Sequence, residues 1–223
     1  MTLARRAAAE AVGTALLLAA IVGSGIMAER LSGGNIGLAL LANAVATGGA
    51  LVAVIFAFGP ISGAHLNPVV TLADAWQRGI AWGDVPAYVG AQVAGAIVGV
   101  GTANLMFGLP LFSASQHART GGPLWLGEFV ATFGLVAVIW GCARGNSAAT
   151  PFAVAAFIVG AYWFTSSTSF ANPAVTIARS LSDTFAGIRP VDVPPFIAAE
   201  LAGAAVATAL FVWLNPRKRD AHA

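Results

Sequence analysis

Two short polar stretches interrupt an otherwise strongly apolar chain, at residues 62–71 and 167–176. Aligned on Asn67 and Asn172, they share Asn, Pro, Val and Thr at the same spacing. Asn caps a helix and Pro suits its first turn, so each stretch predicts a short helix that begins at its asparagine. Irregular backbone at membrane depth is tolerated only where it is buried in protein or lines a cavity. The repeated broken helix therefore indicates a central permeation or binding site.

Composition places these stretches inside a membrane. Hydrophobic residues make up 58% of the chain and charged residues 9%, whereas soluble domains carry about 25% charged residues. The formal net charge is +2, and its basic residues are scattered between apolar segments, which argues against a nucleic-acid partner. The single cysteine, Cys142, has no partner for an intrachain disulfide and no histidine near it at metal-ligand spacing. We therefore expect a polytopic membrane protein without a metal or another cofactor.

Long apolar runs predict six transmembrane spans. They cover 7–28, 36–58, 86–107, 124–141, 151–165 and 194–214, with Gly59-Pro60 ending the second. The first half-helix, over 67–77, is about 17 Å long and cannot cross a hydrocarbon core of about 30 Å. Each half has the order span, span, half-helix, span. We expect one domain over 1–223, with repeats at about 5–107 and 124–214 joined by an extramembrane loop over 108–123.

The basic residues predict the orientation. With both termini in the cytoplasm, seven of them face inward and four outward, in agreement with the positive-inside rule. The inward set is Arg5, Arg6, Arg78, Arg144, Arg217, Lys218 and Arg219. Three spans separate the halves, so the second is inverted and the half-helices meet by their N-termini near the midplane. The predicted fold is an all-α protein of the inner membrane, with six transmembrane helices and two re-entrant helices in an inverted repeat.

Further correspondences support the repeat. Glu10 in the first span matches Glu128 in the fourth, and Gln92 in the third matches Glu200 in the sixth. Small residues recur every four positions in the third and sixth spans, which predicts close helix packing. They are Ala91, Gly95 and Gly99, and Ala199, Gly203 and Ala207.

Two Asn-Pro-Ala-type boxes in inverted three-span halves resemble the aquaporin and aquaglyceroporin family, the major intrinsic proteins. The boxes are Asn67-Pro68-Val69, preceded by Ser-Gly-Ala-His-Leu, and Asn172-Pro173-Ala174. The resemblance covers nearly the whole chain and implies a passive channel for small neutral solutes, not an enzyme, assembled as a homotetramer. Facing helix N-termini, each with about +0.5 charge, repel cations, and the two asparagines offer amide donors to a passing oxygen.

The resemblance also implies roles for three ionisable residues. Glu10 and Glu128 are expected to accept hydrogen bonds from the backbone of the broken loops, as structural support rather than in catalysis or proton relay. His65 matches a family position near the cytoplasmic part of the pore, although a satisfied interior histidine looks the same in a sequence.

The family's narrowest point is typically formed by four residues, usually including an arginine directly after the second box. Counted without gaps, these positions are Thr47, Gly160, Ser169 and Val175. Small or apolar groups and no arginine predict a wide, weakly charged constriction that is unsuited to strict water selectivity. The pattern resembles a bacterial branch of aquaglyceroporins associated with arsenic resistance. That branch implies glycerol-like polyols and neutral arsenite or antimonite as solutes, with methylated arsenicals and water as further candidates.

Arg179 stands four residues after Val175, on the same helical face, and its counterpart in the first half is Asp74. It either supplies the missing charge from the vestibule or lies at the membrane interface near Asp183. We favour the interface, because a helical side chain leans back by one turn at most.

Two other classes share parts of this pattern. A secondary transporter also has inverted repeats and broken helices, and it is the alternative to the channel. An intramembrane hydrolase would need an activated nucleophile, and Ser24, between Gly23 and Gly25, has no positioned histidine or second carboxylate. The channel is the preferred interpretation.

Overall fold

The computed structural model describes residues 1–145 and 147–214, and within them eight α-helices follow one another. Six helices, three of them taken together with the 3-10 turn that precedes them, are long and apolar enough to cross a membrane. The six are α1 (Leu3–Leu31), α2 (Ile36–Ser62), α4 (Val85–Met106), α5 (Gly122–Gly145), α6 (Thr150–Phe164) and α8 (Val193–Leu214). The short ones are α3 (Pro68–Trp76) and α7 (Pro173–Arg179). The predicted fold of six spans and two half-helices is confirmed.

The order of elements is the same in both halves, from α1 to α4 and from α5 to α8. We call the side where α1 begins the terminal face, and the side that carries residues 107–121 the central-loop face. Because three spans precede α5, the second half runs in the opposite direction, and α3 and α7 come from opposite faces and pack against each other. The predicted basic cluster at 217–219 lies outside the described residues.

Both half-helices begin at their asparagines for local reasons. Asn67 Oδ1 accepts a hydrogen bond from the Val69 N–H at 3.0 Å, and Asn172 Oδ1 accepts one from the Ala174 N–H at 3.0 Å. A proline follows each asparagine and has no N–H that would need an acceptor. With 9 and 7 residues, the helices are about 14 and 10 Å long at 1.5 Å per residue. Neither can cross the membrane.

The end of α2 differs from the prediction. The helix does not stop before Gly59-Pro60 but continues through Pro60 to Ser62. Pro60 is exposed in the last turn, so the backbone bond that it cannot make is lost at the membrane surface rather than in the bundle. Gly63, with a φ of 91°, ends the helix instead, because its left-handed conformation costs little without a side chain.

Close helix packing depends on glycines that face another backbone. A Cβ atom on Gly95 of α4 would overlap the carbonyl oxygen of Ala11 in α1, and one on Gly203 of α8 would overlap the carbonyl oxygen of Phe129 in α5. The small-residue rows therefore set the distance between the first and last spans of each half.

The segment between the halves is more than the polar surface loop that the sequence predicts. It runs along the segment that follows α7, and the N–H groups of Ser113 and Ser115 donate to the carbonyls of Leu181 and Ser180, both at 3.0 Å. Ser115 and Arg119 are only 1% and 9% exposed. This segment therefore places the charged side chain of Arg119 inside the protein, on the central-loop face.

Candidate functional site

A cavity of about 260 Å³ lies in the middle of the bundle, and both asparagines of the boxes line it. Its lining extends from Asp74, on the terminal side of the asparagines, to Arg179 on the central-loop side. Most of the wall is apolar and comes from the long helices, including Leu17, Ile21, Leu51, Ile55, Val154 and Ile158. Polar groups are few, and most of them come from the two broken loops and the half-helices that follow, as in a site that binds small molecules.

The two broken loops have the same unusual backbone. Ala64 and Leu66 have φ values of 48° and 52°, and Ser169 and Ala171 have values of 53° and 49°. These residues stand three and one positions before each asparagine. Side-chain-bearing residues adopt this left-handed conformation rarely, so both loops are strained at matching places and need support from their surroundings.

Two buried glutamates contact the strained segments. Glu10 accepts hydrogen bonds from the N–H groups of His65 and Leu66 at 3.0 and 2.6 Å. Glu128 accepts the corresponding pair, from two and one residues before Asn172, at 2.9 and 2.7 Å. Backbone N–H groups that are turned away from a helix inside an apolar bundle cannot reach water, and these carboxylates provide their acceptors.

A second residue in each half completes the support. The Gln92 amide donates to Glu10 at 2.8 Å and to the hydroxyl of Thr71 at 2.9 Å. Glu200 Oε1 accepts from the Asn172 N–H at 3.1 Å and from the Thr176 hydroxyl at 2.6 Å. The sequence comparison paired Gln92 with Glu200 but interpreted their surroundings as packing rows.

The side-chain amides of the asparagines cross between the halves. Asn67 Nδ2 donates to the carbonyl of Ala171 at 2.7 Å, and Asn172 Nδ2 donates to the carbonyl of Leu66 at 2.8 Å. Each Oδ1 is occupied by the cap of its own half-helix. A primary amide has two N–H bonds, so each asparagine keeps one donor for an oxygen atom in the cavity.

The central-loop end of the cavity contains three of the four residues that were predicted to form a constriction. Thr47, Ser169 and Val175 line the cavity, and Gly160 does not. Tyr162 stands in its place, and its hydroxyl lies 3.2 Å from the hydroxyl of Thr47.

The prediction that Gly160 lines the constriction was wrong, because Gly160 lies on a different face of α6 from the residues that line the cavity. The cavity-lining residues of α6 are Thr150, Val154, Ile158 and Tyr162, which are four residues apart and share one face. Gly160 lies about 200° around the helix from either of the last two. A Cβ atom on it would meet the ring of Phe164 at 3.8 Å, and that ring is 58% exposed on the outside of the bundle.

Arg179 is not at the membrane interface, as the sequence favoured, but inside the protein. It is 2% exposed and lines the cavity, and its Nε donates to the carbonyl of Ala186. Its guanidinium carbon is 3.4 Å from the centre of the Phe170 ring. The side chain leans back along α7 toward the asparagines, in the direction that side chains take on a helix.

Arg119 approaches the same ring from the segment between the halves. Its guanidinium carbon is 5.0 Å from the centre of the Phe170 ring, and its Nε donates to the carbonyl of Gly187 at 2.7 Å. Burial lowers the pKa of Arg119 to about 10, so the group stays charged at neutral pH. Two cations therefore flank one aromatic residue at the central-loop end of the cavity.

The terminal end of the cavity has a different pair of groups. His65 Nε2 is 3.6 Å from the carboxylate of Asp74, and His65 Nδ1 is 3.1 Å from the hydroxyl of Thr71. Both His65 and Asp74 line the cavity. The two ends thus differ in charge.

Sequence reasoning missed four residues of this site: Tyr162, Phe170, Glu200 and Arg119. Tyr162 is a polar residue in an apolar span and could have been found by that contrast. Glu200 is a carboxylate within a predicted span, which is itself a signal of function. Phe170 and Arg119 carry no such signal, because their positions depend on how the loops fold over α7.

Three comparisons with known proteins agree with this geometry. The family model described as "Major intrinsic protein" matches residues 1–168. The chain is 54% identical to aquaglyceroporin AqpS of Rhizobium meliloti (strain 1021) over 212 residues, which cover 95% of this chain and 91% of that protein. It is 42% identical to aquaporin NIP1-1 of Oryza sativa subsp. japonica over 113 residues, which cover 47% of this chain and 38% of that protein.

Among solved structures, the X-ray structure of the aquaglyceroporin from Plasmodium falciparum matches with a TM-score of 0.75 over 97% of each chain. At 19% identity this likeness speaks for the fold. The family match and the full-length relative go further and make the chain a membrane channel for small neutral solutes rather than an enzyme. With its two boxes, its inverted halves and its central cavity, the chain belongs to the major intrinsic protein family.

Proposed function

We propose that the chain passively conducts glycerol-like polyols and the neutral hydroxides of arsenic and antimony, together with water. The observation that carries this proposal is the crossed asparagine pair, which leaves one free N–H donor from each half inside an apolar cavity. Hydroxyls of Thr47, Ser169 and Tyr162 add donors and acceptors along one end of the same cavity. A neutral solute with several hydroxyl groups can exchange its water shell for these groups.

Arsenite suits this arrangement for a chemical reason. At neutral pH it is As(OH)₃, an uncharged molecule with three hydroxyls, and it resembles a polyol in size and hydrogen bonding. The similarity to a protein named as an aquaglyceroporin supports the polyols. Methylated arsenicals, which are larger, are further candidates because the side chain at position 175 is a valine and not an arginine.

The constriction in this proposal is formed by Thr47, Tyr162, Ser169 and Val175, all of which line the central-loop end of the cavity. Glu10 and Glu128 support the loops, and His65 belongs to the terminal vestibule. The chain works as a single channel domain over 1–223, assembles as a homotetramer and lies in the inner membrane with both termini in the cytoplasm. Large apolar side chains exposed on the long helices, such as Val45, Phe56 and Phe152, support contact with lipid or with neighbouring subunits.

A flux panel on purified protein in liposomes tests the proposed solutes. Stopped-flow measurements of glycerol, water and As(OH)₃ entry should each exceed the rate of protein-free liposomes and rise linearly with concentration. Saturation at low substrate, or dependence on a proton or sodium gradient, would favour the secondary transporter instead. Entry of water alone would contradict the polyol and arsenite assignment.

Val175→Arg tests the constriction. A long charged side chain at this position should narrow the cavity and lower glycerol and arsenite entry by about tenfold, because it fills the space beside Thr47 and Ser169. Val175→Leu is the matched control, since it adds volume without a charge or a donor. Unchanged fluxes in correctly assembled Val175→Arg would mean that position 175 does not limit passage.

A further inference from the structure

Arg179 combines three properties that no other described arginine has together. It is almost completely buried, it lines the cavity, and its guanidinium lies flat against an aromatic ring, Phe170, that lines the same cavity. Phe170 stands two residues before Asn172, so the cation is held close to the second box. Arg30, by comparison, has the same kinds of contact, with the Phe107 ring and carbonyl, but it is exposed at the end of α1 and away from the cavity.

Arg179 has no salt-bridge partner in the described part of the chain, and the carboxylates of Glu128 and Glu200 act on its charge only from a longer distance. In the described part of the chain the ion pairs join Arg6 to Asp84, His65 to Asp74 and Arg189 to Asp192, and none includes Arg179. Its Nε donates to the Ala186 carbonyl, an uncharged acceptor. The positive charge therefore acts on the cavity itself.

The position of Arg179 on α7 explains how it reaches the constriction. It is four residues, or about 6 Å of rise, beyond Val175. Side chains on a helix lean toward its N-terminus, and the N-terminus of α7 is at the asparagine pair. Arg179 thereby lines the same cavity as Tyr162, Ser169 and Val175.

We propose that Arg179 is the residue that excludes cations and protons from this channel, from a site one helical turn away from the position directly after the second box. The inference rests on the proposed function, because it concerns which solutes pass the same constriction. A unit charge adds to the partial positive charges of the two facing half-helices, about +0.5 each. A neutral polyol loses nothing by this field, whereas a cation meets a barrier.

In this proposal, different residues set the width and the charge of the constriction. Val175 leaves the constriction wide, and Arg179, held against the ring of Phe170, keeps it positive. Removal of the charge should therefore admit cations without blocking glycerol.

The test compares two fluxes in the same liposomes, glycerol entry and methylammonium entry, with proton leak as a third measurement. Wild-type protein should pass methylammonium at less than about a hundredth of its glycerol rate. Arg179→Gln and Arg179→Met should raise the methylammonium-to-glycerol ratio at least about tenfold, because methylammonium entry rises. Arg179→Lys should stay within about threefold of wild type, because it keeps the charge.

Two further variants identify the cause. Arg30→Gln is the matched control, and it should leave the ratio unchanged because its guanidinium is outside the cavity. In the double variant Val175→Arg with Arg179→Gln, a cation returns to the constriction, and the ratio should fall back toward wild type while glycerol entry drops.

Four results would overturn the proposal. The first is a wild type that conducts methylammonium as readily as glycerol, which needs no variant at all. The second is an unchanged ratio in Arg179→Gln or Arg179→Met with normal glycerol entry. The third is an Arg179→Lys variant as leaky as Arg179→Gln, which would show that packing on Phe170 matters and charge does not. The fourth is an Arg30→Gln variant as leaky as Arg179→Gln. If the wild type conducts no glycerol, the proposed function fails, and the methylammonium and proton fluxes of the variants still decide the role of Arg179.

Discussion

In the first broken loop, Ala64 and Leu66 have positive φ, and in the second Ser169 and Ala171 do, at the same distances from their asparagines. Both loops are held by a glutamate from the span that opens their own half. The next residues differ: Gln92 stands beside Glu10, while Glu200 occupies the matching place near Glu128. The two halves are thus most alike in the backbone of the broken loops and least alike in the side chains around it.

The ends of the cavity differ even more. Its terminal end has His65 and Asp74, and its central-loop end has Arg179, with Arg119 near the same Phe170 ring. The two half-helices must meet at one depth with the same donors, so the repeat is retained where they touch. Solutes meet the two ends one after the other, so each end can carry its own charge.

The largest effect is expected from removing the glutamates of the two halves. Glu10→Ala leaves the buried N–H groups of His65 and Leu66 without their acceptor and should cost about 2–6 kcal/mol of unfolding free energy, at about 1–3 for each group. Glu128→Ala should cost less, because Glu200 still accepts the next N–H in the second loop. The measurement is the unfolding midpoint in an SDS titration of micelle-embedded protein.

Glu29→Ala is the control for these variants, because Glu29 is exposed near the end of the same helix as Glu10. If Glu10→Ala and Glu128→Ala are equally damaging, Glu200 adds nothing to the second loop. A Glu10→Ala protein as stable as Glu29→Ala would mean that its loop is supported elsewhere.

A smaller effect, and a sharper comparison, should come from the helix pairs. Gly95→Ala and Gly99→Ala each place a Cβ atom against the backbone of α1, at Ala11 and Ala15, and should cost about 1–3 kcal/mol apiece. The counterpart of Gly99 in the second half, Ala207, already carries that Cβ atom. We therefore expect a Cβ atom at position 99 to destabilise the packing of α1 on α4, whereas the packing of α5 on α8 already accommodates one at position 207.

Gly90→Ala provides the control, because a Cβ atom there would meet nothing within 4 Å. Thermal loss of the monodisperse gel-filtration peak in detergent ranks the three variants. If Gly99→Ala is as stable as Gly90→Ala, then α1 and α4 have as much room for this Cβ atom as α5 and α8 have.

The smallest effect should come from making the second half like the first. In Glu200→Gln, the amide oxygen can still accept from Asn172 and Thr176, and the new N–H groups can point to Glu128 as Gln92 does to Glu10. The change should stay below about 1 kcal/mol. The reverse variant, Gln92→Glu, should be more harmful, because an ionised carboxylate cannot donate to Glu10 and Thr71.

The same SDS titration compares these two variants. If Glu200→Gln is the more harmful of the pair, the carboxyl group of the second half has a task that the amide of the first half does not have.

The sequence predicted the two boxes and the inverted halves because Asn-Pro in an apolar run has few structural solutions. It failed for Gly160 because α6 is apolar on its lipid side and on its cavity side, so hydrophobicity does not reveal which residues face inward. A count without gaps therefore placed the wrong face of the helix in the cavity. Only the hydroxyls of Thr150 and Tyr162 mark the cavity side.

The two arginines at the central-loop end could not be placed from the sequence for another reason. Arg179 is fixed by the carbonyl of Ala186, and Arg119 by the carbonyl of Gly187. Both acceptors belong to the loop after α7, whose path depends on contacts with the segment between the halves. Backbone carbonyls are present at every residue, so no pattern in the sequence marks the ones that bind a side chain.

The crossed amide bonds also bear on how the chain is made. Asn67 and Ala171 are 104 residues apart, and Leu66 and Asn172 are 106 apart. During synthesis the first box therefore enters the membrane long before its partner exists, while Glu10 and Gln92 from its own half already hold its loop. Each half therefore supplies the support of its own broken loop, and the contact between the two loops forms last. A chain that stops before the second box lacks the Ala171 carbonyl and the Asn172 amide that pair with Asn67 and Leu66.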